Sequence, residues 1–360
     1  MITVPLDSRA IPELQPLTEL RALGRSAPRL PFTARNAAEA SRWQAACRAT
    51  LTGAAGFLDD PPAPDPGPAL IEEVDRGDFV RRKLLLRTAP HACMPFYLLV
   101  PKGAACPLPA VLAYHGHGYG VKDIVGLWED GTERYEAEGY HNDFAVALCR
   151  RGFLVAAPEI ACFGERQADY SHLSASLSQP VPTTCHNAAT YAMMLGKSVL
   201  GMRLRDALRL VDYLVAAGLV DPARIGAMGI SGGGMHAFFH AALDPRVRAA
   251  VVSGYLTSFH ESILAVNHCS CNFVPGLLNI ADLPDLSGLI LPRPLLVEAG
   301  TRDEIFPVAA ARAAVARARE ICAVLGGDPQ HDVVLDEFEG RHRISGRLAY
   351  DFLWDRLAGG

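Results

Sequence analysis

The stretch RIGAMGISGGGMHAFF, residues 224–239, decides the fold: it reads as a strand that turns at Ser231 straight into a helix. Residues 224–230 are continuously apolar or small apart from the leading arginine. That is the pattern of a strand covered on both faces within a parallel sheet, not of a half-exposed one. Gly229, Gly232 and Gly233 surround Ser231 at G-x-S-x-G spacing, with Gly234 just beyond. A bare match to so short a motif means little, and its context is what makes it specific. A sharp strand-to-helix turn strains the serine backbone and brings its neighbours so close to adjacent chain that only glycine fits. Such a turn lifts one hydroxyl clear of the sheet edge.

The theme repeats on either side. Apolar runs at 109–115, 152–158, 246–252, 293–299 and 332–338 alternate with helices expected at about 132–151, 198–218, 232–243, 307–325 and 344–357. This alternation predicts an α/β fold with a mostly parallel, twisted sheet of about eight strands, covered by helices on both faces. Right-handed crossovers then bring the C-terminal ends of the strands to one edge, where open α/β sheets build their sites. Between about residues 70 and 100, ALIEEVD, FVRRKLLLRT and MPFYLLV are separated by turn residues and predict antiparallel strands. Upstream, residues 1–31 read as irregular and proline-punctuated, Thr33 as the cap of a helix that Gly53 stops, and DDPPAPDPGP (59–68) as a linker. The chain thus divides into an N-terminal helical arm with its Pro-rich linker (1–69) and an α/β domain (70–360). Within that domain the segments at about 159–197 and 253–292 are too long for simple connections and are expected to shape a pocket.

A serine alcohol needs a base to accept its proton, and a third group to orient that base. His342 meets the first need, lying in the turn after the run 332–338, whereas His331 lies at the opposite end of the same strand. Asp303, just beyond 293–299, is the favoured acid. Glu298 inside that strand is its nearest rival, and Glu304 and Glu261 are weaker ones. Donors for an oxyanion are expected from the Gly232 N–H at a helix N-terminus and from the loop Tyr114-His115-Gly116-His117-Gly118, with His117 first and Gly116 second. His115 and His117 share a face of extended chain and could pair on a metal, but no third ligand accompanies them. Cys269 and Cys271 form a C-x-C pair with no second pair at zinc-site spacing. No metal and no cofactor are therefore expected.

Composition excludes other classes. In 360 residues half are hydrophobic and a fifth charged, so a large core is available. The net charge of −5 offers no basic field for nucleic acid. No run is long and apolar enough for a membrane span, and the N-terminus lacks a signal-peptide pattern. The nine scattered cysteines read as reduced thiols, so a cytoplasmic location is the expectation. The proline-rich arm leaves packing on a second copy, and hence a homo-oligomer, as a further expectation.

Together, YHGHG (114–118), FGER (163–166), RIGAMGISGGG (224–234), ALDPRVRAAV (242–251), CNFVPGLL (271–278) and LPRPLLVEAGTRDEIFPV (291–308) resemble the α/β-hydrolase superfamily, in its dienelactone-hydrolase and acetyl-xylan-esterase-like branch. The resemblance implies a Ser–His–Asp esterase on a small ester, with Ser231, His342 and Asp303 as triad and Gly232 and His117 as donors. The dienelactone hydrolases proper carry cysteine where this chain has Ser231, so dienelactone chemistry is not implied. Two other readings stand beside it. A prolyl-oligopeptidase-like peptidase shares the glycine-rich turn, but the region before residue 80 is too short for a propeller. A non-catalytic ligand-binding member of the fold usually has a damaged triad. Arg166, His186 and Tyr191 lie where they could reach a pocket, although a solvated loop accounts for each.

Overall fold

The computed structural model describes residues 11–26, 28–61, 67–170 and 183–359. Nine strands form one sheet: β1 (Ala69–Asp75), β2 (Phe79–Ala89), β3 (Ala92–Pro101), β4 (Leu108–Tyr114), β5 (Leu154–Pro158), β6 (Val220–Ile230), β7 (Val247–Ser253), β8 (Leu295–Gly300) and β9 (Val333–Phe338). Their order is β1-β2-β3-β5-β4-β6-β7-β8-β9. β1 to β3 pair antiparallel, and β3 joins β5 antiparallel. From β5 through β4 to β9 every pairing is parallel.

The alternation of side chains along each strand builds two cores. On β4, Ala110, Leu112 and Tyr114 enter a core shared with α2 (Ala37–Ala55), α5 (Val199–Ala216), α6 (Gly232–Leu243) and α8 (Val308–Val324). Val111 and Ala113 enter the opposite core with α3 (Phe144–Arg150) and α9 (Ala349–Leu357). Burial on both faces explains why the central strands read as unbroken apolar runs.

Some boundaries differ from expectation, each for a local reason. α2 is capped by Asn36, whose side chain accepts from Glu39 N at 3.0 Å, not by Thr33. It ends at Ala55, beyond Gly53. α2 also packs into the main core through Trp43, Cys47 and Leu51, and Arg48 reaches Ala242 O on α6 at 3.0 Å. The stretch expected to be irregular contains α1 (Pro16–Gly24), with a proline at its first turn; residues 1–10 lie outside the described region. The helix expected over 132–151 is helical only from Phe144. Positive φ at Gly139, Asn142 and Asp143 breaks what precedes it. The last helix begins at Ala349 rather than 344. The segment 159–197, of which 171–182 lie outside the described residues, carries α4 (Thr184–Met194).

The turn after β6 shows why its glycines are needed. A Cβ on Gly233 would lie 2.0 Å from Tyr114 O and 2.6 Å from His115 O, and one on Gly229 would lie 2.2 Å from Gly233 O. Gly233→Ala is therefore expected to destabilise the protein by about 3 kcal/mol or more, since backbone must move to admit the methyl. Urea denaturation checks it, and a loss under about 1 kcal/mol would mean the turn can relax.

Candidate active site

Six parallel strands end on the same edge, and five of them, β4 and β6 to β9, are followed by a residue of the site. Ser231 follows β6 with φ 57° and ψ −121°, a conformation that L-residues rarely adopt. Strain of this kind costs about 1–3 kcal/mol and persists only where surrounding structure over-determines it. Here the Ser231 N–H is bonded to Ser253 O at 3.0 Å, and Ser231 O accepts the first helical bond from Met235 N at 2.9 Å. The side chain is held at the mouth of a cleft of about 550 Å³ whose walls include His117, Tyr140, His268, Ile305 and His342.

His342, in the turn after β9, bonds through Nδ1 to Asp303 Oδ2 at 2.6 Å. Its ring lies between the stacked rings of Tyr140 (centroids 5.7 Å apart) and Phe306 (5.6 Å). Gly254, after β7, leaves room for it: a Cβ there would sit 2.8 Å from His342 Cε1. His342 Nε2 is buried with no hydrogen-bond partner among the described residues. The imidazole is thus clamped at one nitrogen and on both faces, with the other nitrogen uncommitted.

Asp303, after β8, is buried, and its second oxygen Oδ1 accepts from Ile305 N at 2.9 Å and Phe306 N at 3.0 Å. Burial opposes its ionisation. The His342 bond and charge and the two amides outweigh burial and hold the carboxyl below its ordinary range. Glu298 is committed elsewhere, accepting from Gly346 N at 2.8 Å and Ser345 N at 3.2 Å. Glu304 lines the cleft, and Glu261 is bonded to Ser258 Oγ. His331 is exposed at the other end of β9, with Nδ1 3.2 Å from Asp332 Oδ1.

Burial pushes Glu298 up to about 7. A folded-state value above the ordinary one means the native protein keeps a proton that the unfolded chain has released. That contribution to stability is full below the ordinary glutamate value and is lost as pH rises through about 7, a change of at most about 3 kcal/mol. Glu298→Gln is expected to flatten this decline between about pH 5 and about pH 8 in urea unfolding. Parallel pH profiles for variant and parent would show that Glu298 is ionised throughout.

The loop after β4 lies against the turn. A Cβ on Gly116 would meet Ile230 O at 2.9 Å and Ser231 Cβ at 3.2 Å, and one on Gly232 would meet His117 Cε1 at 3.1 Å. The Gly116 N–H is already donated to His141 Nε2 at 2.7 Å, which removes it from the two candidate donors of this loop. His141 in turn bonds through Nδ1 to Asp123 Oδ2 at 2.7 Å, and burial keeps its ring below the ordinary imidazole range. Tyr140 donates its hydroxyl to His117 O, and burial keeps that phenol protonated. Tyr140, His141 and Phe306 escaped the sequence reading as site residues; Tyr140 and His141 fall in the stretch assigned to a helix, and no short motif marks these two. His115 uses both nitrogens inside the fold, toward Gly116 O at 2.8 Å and Ile160 N at 3.1 Å, so it does not pair with His117 on a ligand.

A second cavity of about 670 Å³ shares His117, His268 and Cys269 with the cleft and is bounded further out by Phe163 and His186. Arg166 is not a solvated loop residue: it is ion-paired with Asp206 at 2.8 Å and bonded to Glu159 O. Tyr191 is exposed. No helix among the described residues is long and apolar enough to cross a membrane.

Known proteins share this fold. "Putative hydrolase YtaP" of Bacillus subtilis (strain 168) is 29% identical over 253 residues, which covers 68% of this chain and 78% of that protein. Among solved structures, a "putative acetyl xylan esterase" from Bacteroides fragilis NCTC 9343 matches with TM-score 0.70 and 17% identity, over 91% of this chain and 82% of that one. The glucuronoyl esterase from Solibacter usitatus matches with TM-score 0.62 and 16% identity, over 88% and 92%. At such identities these structures speak for the shared fold. A family model matches residues 22–324, from α1 to the end of α8, and on that extent the chain belongs to the Abhydrolase family.

Proposed function

We propose that the protein is a serine esterase that cleaves a carboxylic ester of a small acyl group through an acyl-enzyme. The observation that carries the reading is the 2.6 Å His342–Asp303 bond, with His342 Nε2 uncommitted in the wall of the cleft that holds the strained Ser231. Ser231 Oγ attacks the ester carbonyl while His342 Nε2 takes its proton, and Asp303 steadies the resulting imidazolium. The Gly232 and His117 N–H groups receive the negative charge that forms on the carbonyl oxygen. The imidazolium then gives its proton to the departing alkoxide, and a water activated by the same imidazole releases the acid. The ring cluster of Tyr140, His117 and His268 limits the acyl chain, and the adjoining cavity of about 670 Å³ receives the alcohol part. The names of the relatives, a hydrolase and two esterases, agree with this reading.

Purified protein offered nitrophenyl acetate, nitrophenyl octanoate and aminoacyl-nitroanilides is expected to prefer the acetate by about tenfold or more over both alternatives. Faster turnover of the anilides would replace the esterase by a peptidase, and absence of turnover on all three would favour a binding protein. His342→Ala is expected to lower turnover of the acetate by about 10²-fold or more, the loss of a general base. The nine cysteines, none of them in a disulfide, support a reducing compartment such as the cytoplasm.

A further inference from the structure

The fold gathers four of the nine cysteines beside His117. Cys162 follows β5, Cys185 lies in the first turn of α4, and Cys269 caps, and Cys271 lies within, a 3-10 turn (Ser270–Asn272) between β7 and β8. Cys185 lines the same cavity as Cys162, Cys269 and His117, and its Sγ lies 3.8 Å from Arg203 Nη2. Cys271 Sγ lies 3.3 Å from Cys269 Sγ, too far for a covalent bond, and 3.9 Å from His117 Nε2. The donor atoms of His117, Cys269 and Cys271 all fall within 4.8 Å of one another. In a tetrahedral zinc site with Zn–S of about 2.3 Å, sulfurs stand roughly 3.8 Å apart, so these atoms are already near the edges of such a polyhedron.

A second observation points to negative charge at the same place. Arg203 on α5 is buried, and its guanidinium bonds to Ala161 O at 3.0 Å while Nη1 has no hydrogen-bond partner. Among the described residues it has no carboxylate partner, and the sulfur of Cys185 lies 3.8 Å from its Nη2. A buried cation without a counter-charge costs several kcal/mol, roughly the size of a whole domain's net stability. The sulfurs also receive N–H donors, from Arg203 Nη2 to Cys185 at 3.8 Å and from Asn272 Nδ2 to Cys271 at 3.7 Å. Donors aimed at sulfur suit thiolates and stiffen a metal's ligands.

We propose that Cys185, Cys269, Cys271 and His117 hold a structural zinc ion, with Arg203 as its counter-charge. Binding Zn²⁺ displaces three thiol protons to solvent, and three thiolates with one neutral imidazole leave the centre with one negative charge, which Arg203 balances. Thiolate and imidazole donors select zinc over calcium or magnesium. Cys162 stands outside the ligand set. Four closed positions leave no site for substrate, so the ion pins the segment after β7 to α4 and to the loop after β4. His117 is also the residue whose N–H serves the oxyanion in the proposed function; zinc binding itself does not depend on that role.

Protein purified without chelator or metal-affinity resin is expected to carry about one zinc per chain. Exchanged to Co²⁺, it should show sulfur-to-cobalt charge transfer and tetrahedral ligand-field bands. Cys271→Ser and Cys185→Ser should retain at least about tenfold less zinc, whereas Cys162→Ser should retain all of it. If the cysteine variants do not fold, the cobalt spectrum of the unaltered protein decides. The proposal is overturned if that protein, reduced and offered Zn²⁺, comes through gel filtration with no metal and nine titrable thiols. A disulfide among residues 185, 269 and 271, or equal zinc loss in Cys162→Ser, would also overturn the ligand set.

Discussion

Ser231→Ala is expected to lower kcat on nitrophenyl acetate by about 10⁴- to 10⁶-fold and to abolish labelling by a fluorophosphonate, while the protein stays folded. The size follows from what the residue does in the proposed cycle, because without its hydroxyl no acyl-enzyme forms. Folding should survive because the turn is held by backbone, through the bonds of Ser231 N to Ser253 O and of Met235 N to Ser231 O. Alanine shares the strain of φ 57° with serine, but glycine does not. Ser231→Gly is therefore expected to lose the same activity and to gain about 1 kcal/mol of stability, released from the backbone. Retention of a tenth or more of the activity in either variant would move the nucleophile elsewhere.

Asp303→Asn is expected to lower kcat by about 10⁴-fold with little change in KM, for a reason this site makes specific. Oδ1 of Asp303 accepts two backbone N–H groups, from Ile305 and Phe306, and an asparagine will keep its oxygen there. Its NH₂ then faces His342 Nδ1, which must become the acceptor. The ring proton moves to Nε2, and that nitrogen can no longer accept a proton from Ser231. The fold keeps its hydrogen bonds, so the loss reports the tautomer and not stability. A loss under about tenfold would pass the role to another carboxylate, with Glu304 in the cleft the first to test. Glu298→Gln serves as the contrast. Its partners are Ser345 N and Gly346 N, so it should alter the pH dependence of stability far more than turnover.

How much of the site could be read in advance depended on whether a feature was local. The turn at Ser231 was legible because G-x-S-x-G, a preceding apolar run and a following helix are properties of one short segment. The positions of Asp303 and His342 followed from chain order, since each comes just after an apolar run that had to be a parallel strand. Tyr140 and His141 were hidden. Helical periodicity was read over 132–151, but positive φ at Gly139, Asn142 and Asp143 breaks the helix where these residues leave the chain toward the site.

The amino-acid sequence by itself determined the sheet, its parallel core and the edge at which Ser231, Asp303 and His342 emerge, because hydrophobic period and connection handedness leave few alternatives. It did not determine which carboxylate meets His342, or that the Gly116 N–H is spent on His141. Nor did the C-x-C spacing reveal that Cys271 meets His117 Nε2, or that Arg203 reaches the thiol of Cys185. Those outcomes belong to the tertiary structure alone. They depend on the direction of side chains from segments far apart in sequence, and a difference of one or two ångströms decides between a bond and a missed contact.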